Sequence, residues 1–127
     1  MKIILSRDFT SDARKSHFID MTSWFASYQL DKIEPFLHEE VEWSLVGDQP
    51  ISGRAAFLKA LSKMQETKAK ELYINQVLID GSHVVISGEM SMDDHSKYSF
   101  IDIHTLVSHQ SNITAHILSY VILLADK

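Results

Sequence analysis

Cysteine is absent from the 127 residues, which removes disulfides, thiolate nucleophiles, zinc ribbons and iron–sulfur ligation from the chemistry open to this chain. A cysteine-free chain fits a reducing compartment, and a cytoplasmic location is expected. Glycine is scarce as well: Gly47, Gly53, Gly81 and Gly88 are too scattered to build a loop that cradles phosphates. No serine sits in a G-x-S-x-G elbow. The longest apolar run, Val121 to Ala125, falls far short of the roughly 20 residues that span a bilayer. The short apolar stretch after Lys2 ends in charge, so it is not read as a signal peptide. Lys and Arg form no cluster, and the formal net charge is −5. Binding to a phosphate backbone draws most of its free energy from counterions displaced by clustered cations. Neither a nucleic-acid nor a membrane partner is therefore expected, and Lys63, Lys68 and Lys70 read as a solvated helix end.

What is present is a chain with 45% hydrophobic residues, enough to bury one core at the usual size of one domain. Residues 1–10 show no clear period and read as a loosely ordered lead-in, leaving 11–127 as a single domain. From Ser11 or Asp12, either a credible N-cap, Phe18, Met21, Phe25 and Tyr28 recur at spacings of three and four and predict a helix. A second helix follows, with Asp31 as its cap and Ile33, Phe36 and Leu37 buried; Pro35 keeps it short, since it must lie in the first turn or break the ladder. Val41, Trp43 and Leu45 alternate as in a half-buried strand, and Gly47 to Pro50 supply a turn. Phe57, Leu58, Leu61 and Met64 then predict a third helix of about 14 residues. The remainder reads as four antiparallel strands over 72–80, 84–92, 97–107 and 113–124, the first two joined by Gly81-Ser82. Long strands of this kind need cover on one face, which the three helices must supply.

That order, with Gly47-Asp48-Gln49-Pro50-Ile51-Ser52-Gly53 leading into a helix and a last strand containing Ser119-Tyr120-Val121, resembles the SnoaL-like, nuclear transport factor 2-like and ketosteroid isomerase-like superfamily over about residues 12–124. The resemblance implies an α+β cone. Three helices from the N-terminal half pack in a strongly curved, mostly antiparallel sheet, a small apolar molecule enters the open end, and the outer sheet face makes a homodimer. Ile101-Asp102-Ile103 resembles the strand segment that carries the protonated aspartate of the isomerase oxyanion hole. The other two isomerase positions fall at Ser44 and near Met21, neither of which supplies an acidic hydrogen or a base of the kind required. The steroid reaction itself is therefore not expected.

Asp102 is the first candidate for chemistry. A carboxylate withdrawn from water without a cation resists ionising, and then serves as acid or hydrogen-bond donor near neutral pH. Its alternative is to point outward into solvent or a dimer interface. His104 shares its face, two residues on, as a partner for proton transfer. With a loop over 108–112, His104 is expected opposite His116, and Phe100 opposite Tyr120. Two histidines and a carboxylate would then share a face, the ligand set of a non-haem iron site, although no metal or cofactor is expected. Trp43 reads equally well as core plug or pocket wall. The expected lining of the pocket is Trp43, Phe100, Tyr120, Met21 and Phe25. Isomerisation, cyclisation or hydration of a small hydrophobic compound suits this set, and the rival reading is a non-catalytic binding or dimerisation module.

Overall fold

The computed structural model describes residues 1–65 and 67–124, so the last three residues of the expected domain lie outside the described residues. Eleven elements follow one another: β1 (Lys2–Leu5), α1 (Ala13–Ala26), α2 (Leu30–Ile33), a 3-10 turn (Glu34–Phe36), β2 (Leu37–Leu45), β3 (Ile51–Ser52), α3 (Arg54–Ser62), β4 (Ala69–Asp80), β5 (His83–Met92), β6 (Lys97–Leu106) and β7 (Thr114–Leu123). One sheet of seven strands runs in the order β1-β4-β5-β6-β7-β2-β3. It is antiparallel except where β1 joins β4 and β2 joins β7. The helices lie in the concave side of this curved sheet.

Several expectations are corrected here. Lys2–Leu5 is an edge strand paired with Glu71–Ile74, so the lead-in carries regular structure. Asp31 does not cap α2, whose N-cap is Gln29 without a side-chain bond. The third helix stops at Ser62, nine residues long, because the chain must turn back toward β4. The first helix agrees with its reading: Asp12 is the cap, its carboxylate accepting from Arg14 N at 2.9 Å and Lys15 N at 3.2 Å.

The inner face of the sheet is apolar at one end. Phe18 of α1 is fully buried with Leu72, Ile74, Val77, Val84, Ile86 and Leu106, each such side chain contributing about 1.5–3 kcal/mol by leaving water. The sheet bends next to this cluster. Register shifts in β4 between Ile74 and Gln76, opposite Gly88, which marks a bulge. A Cβ on Gly88 would stand 1.9 Å from the Tyr73 carbonyl oxygen, so only glycine lets the two strands approach there.

A second bulge decides what faces the interior. Leu106 pairs with Thr114, but Thr105 pairs with His116, which leaves Ala115 as an extra residue. The register then places Asp102 opposite Ser119, His104 opposite Ile117, and Phe100 opposite Val121. The expected pairs His104–His116 and Phe100–Tyr120 are thus wrong by one residue, which sends His116 and Tyr120 to the outer face. Among the described residues no helix is long and apolar enough to cross a membrane.

Candidate active site

The cavity exists because one helix stripe loses bulk along its length. Residues 18, 22 and 26 of α1 lie at helical spacing on one face, and they are Phe, Thr and Ala. Phe18 fills the space over the sheet, whereas Thr22 and Ala26 leave it open. After the helix, Tyr28 adopts φ +57°, and its hydroxyl donates to the Thr67 carbonyl at 2.9 Å. Its ring closes one side of the hollow. The result is a cavity of about 220 Å³ lined by apolar groups that include Met64, Met90 and Met92, with Asp102, His104 and Ser119 as its polar floor.

One wall is aromatic. Trp43 stacks on Phe57 at 4.7 Å between ring centroids, and Phe25 meets Phe57 edge-on at 5.5 Å. Trp43 is therefore core and wall at once, since it packs in the cluster of Met21, Val41 and Phe57 and also lines the cavity. Its indole N–H donates to Ser119 Oγ at 3.0 Å.

Of the seven residues singled out in the sequence, the structure gathers Asp102, His104, Trp43, Phe100 and Phe25 around this cavity. Met21 is fully buried behind the wall and does not line the cavity: it shares a helix face with Phe25 but sits one turn deeper, packed in the cluster of Ile33, Leu37, Val41 and Phe57. Tyr120 is 43% exposed on the outer face, for the reason of register given above. Ser44 also faces away from the cavity, its hydroxyl 3.1 Å from His116 Nε2, so the two strand neighbours that do line the hollow are Trp43 and Leu45. Among the described residues no group of three metal-ligating side chains comes together. Ser119, Thr22, Met64 and Tyr28 were not in the expected lining. Ser119 was hidden by the Ala115 bulge, and Tyr28 by a stripe that reads as ordinary core.

The electrostatics separate the two titratable floor groups. Asp102 is half-buried, as befits a residue lining a cavity, and withdrawal of its carboxyl from bulk water pushes its pKa up to about 6. A hydrogen bond from the Ser119 hydroxyl opposes that shift. His104 is only 2% exposed. Its Nδ1 lies 3.0 Å from Thr114 Oγ1, and the Phe18 ring meets it edge-on at 5.2 Å. Burial first, and the neighbouring His17 second, hold its pKa down at about 3. At neutral pH the imidazole is therefore uncharged, while the Asp102 carboxylate outweighs the acid by about tenfold. A proton entering this floor below pH 6 goes to the aspartate and not to the histidine. The arrangement has one weak acid in apolar surroundings and one neutral imidazole on the same strand face.

A curved sheet wrapped on three helices, with its cavity between α1 and the strands, defines a cone of the nuclear transport factor 2-like and ketosteroid isomerase-like class. Within that class the SnoaL-like domain family matches residues 18–116, and the chain belongs to it. Solved structures agree on the fold. A nuclear transport factor 2-like protein of unknown function from Cytophaga hutchinsonii is 19% identical, with 86% of this chain and 99% of that one covered at a TM-score of 0.65. An LEH-like epoxide hydrolase of M. tuberculosis is 12% identical over 86% of this chain and 82% of its own, with a TM-score of 0.70. SalBIII, an epoxide hydrolase/cyclase-like enzyme of pyran ring formation in salinomycin, is 15% identical over 87% and 91%, with a TM-score of 0.66. No curated protein matches the chain.

Proposed function

We propose that this protein is a cofactor-independent isomerase, cyclase or hydratase acting on a small hydrophobic compound, with Asp102 as its proton carrier. The observation that carries the reading is the carboxyl in the apolar cavity whose pKa is raised to about 6. A base or acid works best when its pKa lies near the operating pH, because both protonation states are then within reach. As carboxylate, Asp102 accepts a proton from a carbon acid or from water; as carboxylic acid it returns one. His104 acts as a neutral hydrogen-bonding group beside it, since its low pKa keeps it from competing for the proton. Trp43, Phe100 and Phe25 shape the apolar part of the binding site.

The test uses neutral one- and two-ring ketones, enones and epoxides, chosen to suit a cavity of about 220 Å³. Binding is read by thermal shift, and proton transfer by deuterium exchange from solvent into the compound or by turnover. Asp102→Asn is expected to lower the rate of an active compound by about 10²–10⁴-fold while leaving binding in place. A rate unchanged by this substitution contradicts the proposal.

A second reading, a non-catalytic binding or dimerisation module, is favoured by one observation: the positions matching the other two isomerase groups, Ser44 and Met21, stand outside the cavity lining. Binding of the same compounds without exchange or turnover would support it. In either case we read the outer sheet face as a homodimer surface. Ile101 and Tyr120 are cross-strand partners there, both exposed, and Ile122 beside them is 61% exposed. Sedimentation of wild type against Tyr120→Glu, expected to be dimer and monomer, tests this.

A further inference from the structure

The polar floor contains a hydroxyl whose hydrogen-bonding sense is fixed by its neighbours. Ser119 is 2% exposed and stands directly across β6 and β7 from Asp102, with both side chains on the inner face. A serine hydroxyl has one proton and two lone pairs, an indole N–H only donates, and a carboxylate only accepts. Trp43 Nε1–H points at Ser119 Oγ from 3.0 Å and so occupies a lone pair. The hydroxyl proton is left for the carboxylate of Asp102, its cross-strand neighbour on the same cavity-lining face.

We infer that Ser119 is a positioning residue for Asp102, oriented by the indole N–H of Trp43, so that a Trp43–Ser119–Asp102 relay pins one carboxylate oxygen to β7 and leaves the other for a ligand. This rests on the reading of Asp102 as proton carrier. The polarity runs one way, from wall to acid. It gives Trp43 a task besides packing, and a phenylalanine of similar bulk would not perform it. It also ties the aromatic wall that a ligand touches to the group that handles the proton. The other titratable side chains lining the cavity are His104 and Tyr28. His104 is uncharged near pH 6, and the Tyr28 hydroxyl is engaged by the Thr67 carbonyl, so neither supplies a charge that would mimic the relay.

The chain has two tryptophans, Trp24 and Trp43, so the indole N–H resonances give a probe and an internal reference. Following both against pH, together with the side-chain carboxyl of Asp102, tests the relay without any substrate. The Trp43 signal is expected to titrate with the same midpoint as the Asp102 carboxyl, and Trp24 is not. Ser119→Ala is expected to raise the Asp102 midpoint by about one pH unit, tenfold in proton affinity, and to uncouple the indole from it. Ser119→Thr, which keeps the hydroxyl, is expected to restore both, and Trp43→Phe to leave a smaller rise. A Trp43 signal that stays flat while Asp102 titrates overturns the relay, as does a folded Ser119→Ala protein with an unmoved midpoint. Should Asp102 titrate as an ordinary carboxylate with the indole still following it, the proposed chemistry fails and the relay stands.

Discussion

The two ends of the cone are built on the same strands and the same helix, yet one is solid and the other hollow. At the solid end Phe18 packs in one cluster with Ile74, Ile86 and Leu106, and the polar groups buried beside it, His104 and Thr114, are bonded to each other. At the hollow end the same helix presents Thr22 and Ala26, and the buried cluster there shrinks to Ala26, Ala69 and Met92. Side-chain size along one stripe, and not a change of architecture, separates a core from a cavity. The solid end fixes the positions of β5 and β6, and the hollow end uses that rigidity to present one acid.

Truncation should show the contrast most strongly. Phe18→Ala is expected to cost about 3–5 kcal/mol in urea unfolding, because it empties a closed core. Phe25→Ala, on the half-buried cavity wall, is expected to cost less and to weaken ligand binding more. Equal losses from the two would erase the distinction between the ends. Between them, Gly88→Ala forces a Cβ toward the Tyr73 carbonyl and is expected to cost about 1–3 kcal/mol, read by the same unfolding curve.

The pH dependence sharpens the comparison, since the two floor groups pull in opposite directions. The native chain keeps the Asp102 proton that the unfolded chain loses between pH 3.8 and about 6, so this group lowers stability as pH rises through that window. His104 has its folded pKa depressed from 6.5 to about 3, so its contribution is present above 6.5 and is lost as pH falls toward 3. Across the shared window the two slopes largely cancel. Asp102→Asn is expected to be about 1–3 kcal/mol more stable than wild type at pH 7.5, with the gain gone by pH 4 and a steeper acid limb. His104→Gln should show the reverse slope. Thermal melts of the three proteins across pH 3–8 check both signs.

The smallest effect on stability belongs to the hollow end. Ala26→Leu restores bulk where the stripe runs out, and is expected to change stability by less than about 1 kcal/mol while abolishing binding of apolar compounds, measured by thermal shift. A large loss of stability would mean that the space is not empty as described.

Much of this was legible in the sequence. The stripe of Phe18, Met21 and Phe25, the Asp12 cap, the Gly81-Ser82 hairpin and the order of elements follow from periodicity and turn chemistry, and the G-D-Q-P-I-S-G turn pointed to the superfamily. That His104 and Phe100 share the face of Asp102 followed from strand alternation, and the inward direction of that face from the resemblance. The failure was local. The pairing expected from the 108–112 loop is correct at Leu106 and Thr114, but one extra residue at Ala115 flips every later side chain of β7. A bulge leaves no mark in the alternation of apolar residues when both faces of the strand are apolar, as in Ile117-Leu118 and Val121-Ile122. Tyr120 was misplaced and Ser119 overlooked for that single reason. The edge strand Lys2–Leu5 was missed because four residues are too few to show a period.

The central claim is that one carboxyl is held in apolar surroundings where it changes charge near neutral pH. Its most direct test is the side-chain ¹³C resonance of Asp102, followed from pH 3 to 8 in the ligand-free protein. The account expects a midpoint at about 6, well above the ordinary value of 3.8. A midpoint at that ordinary value would mean that the acid is solvated, and would contradict the site as described.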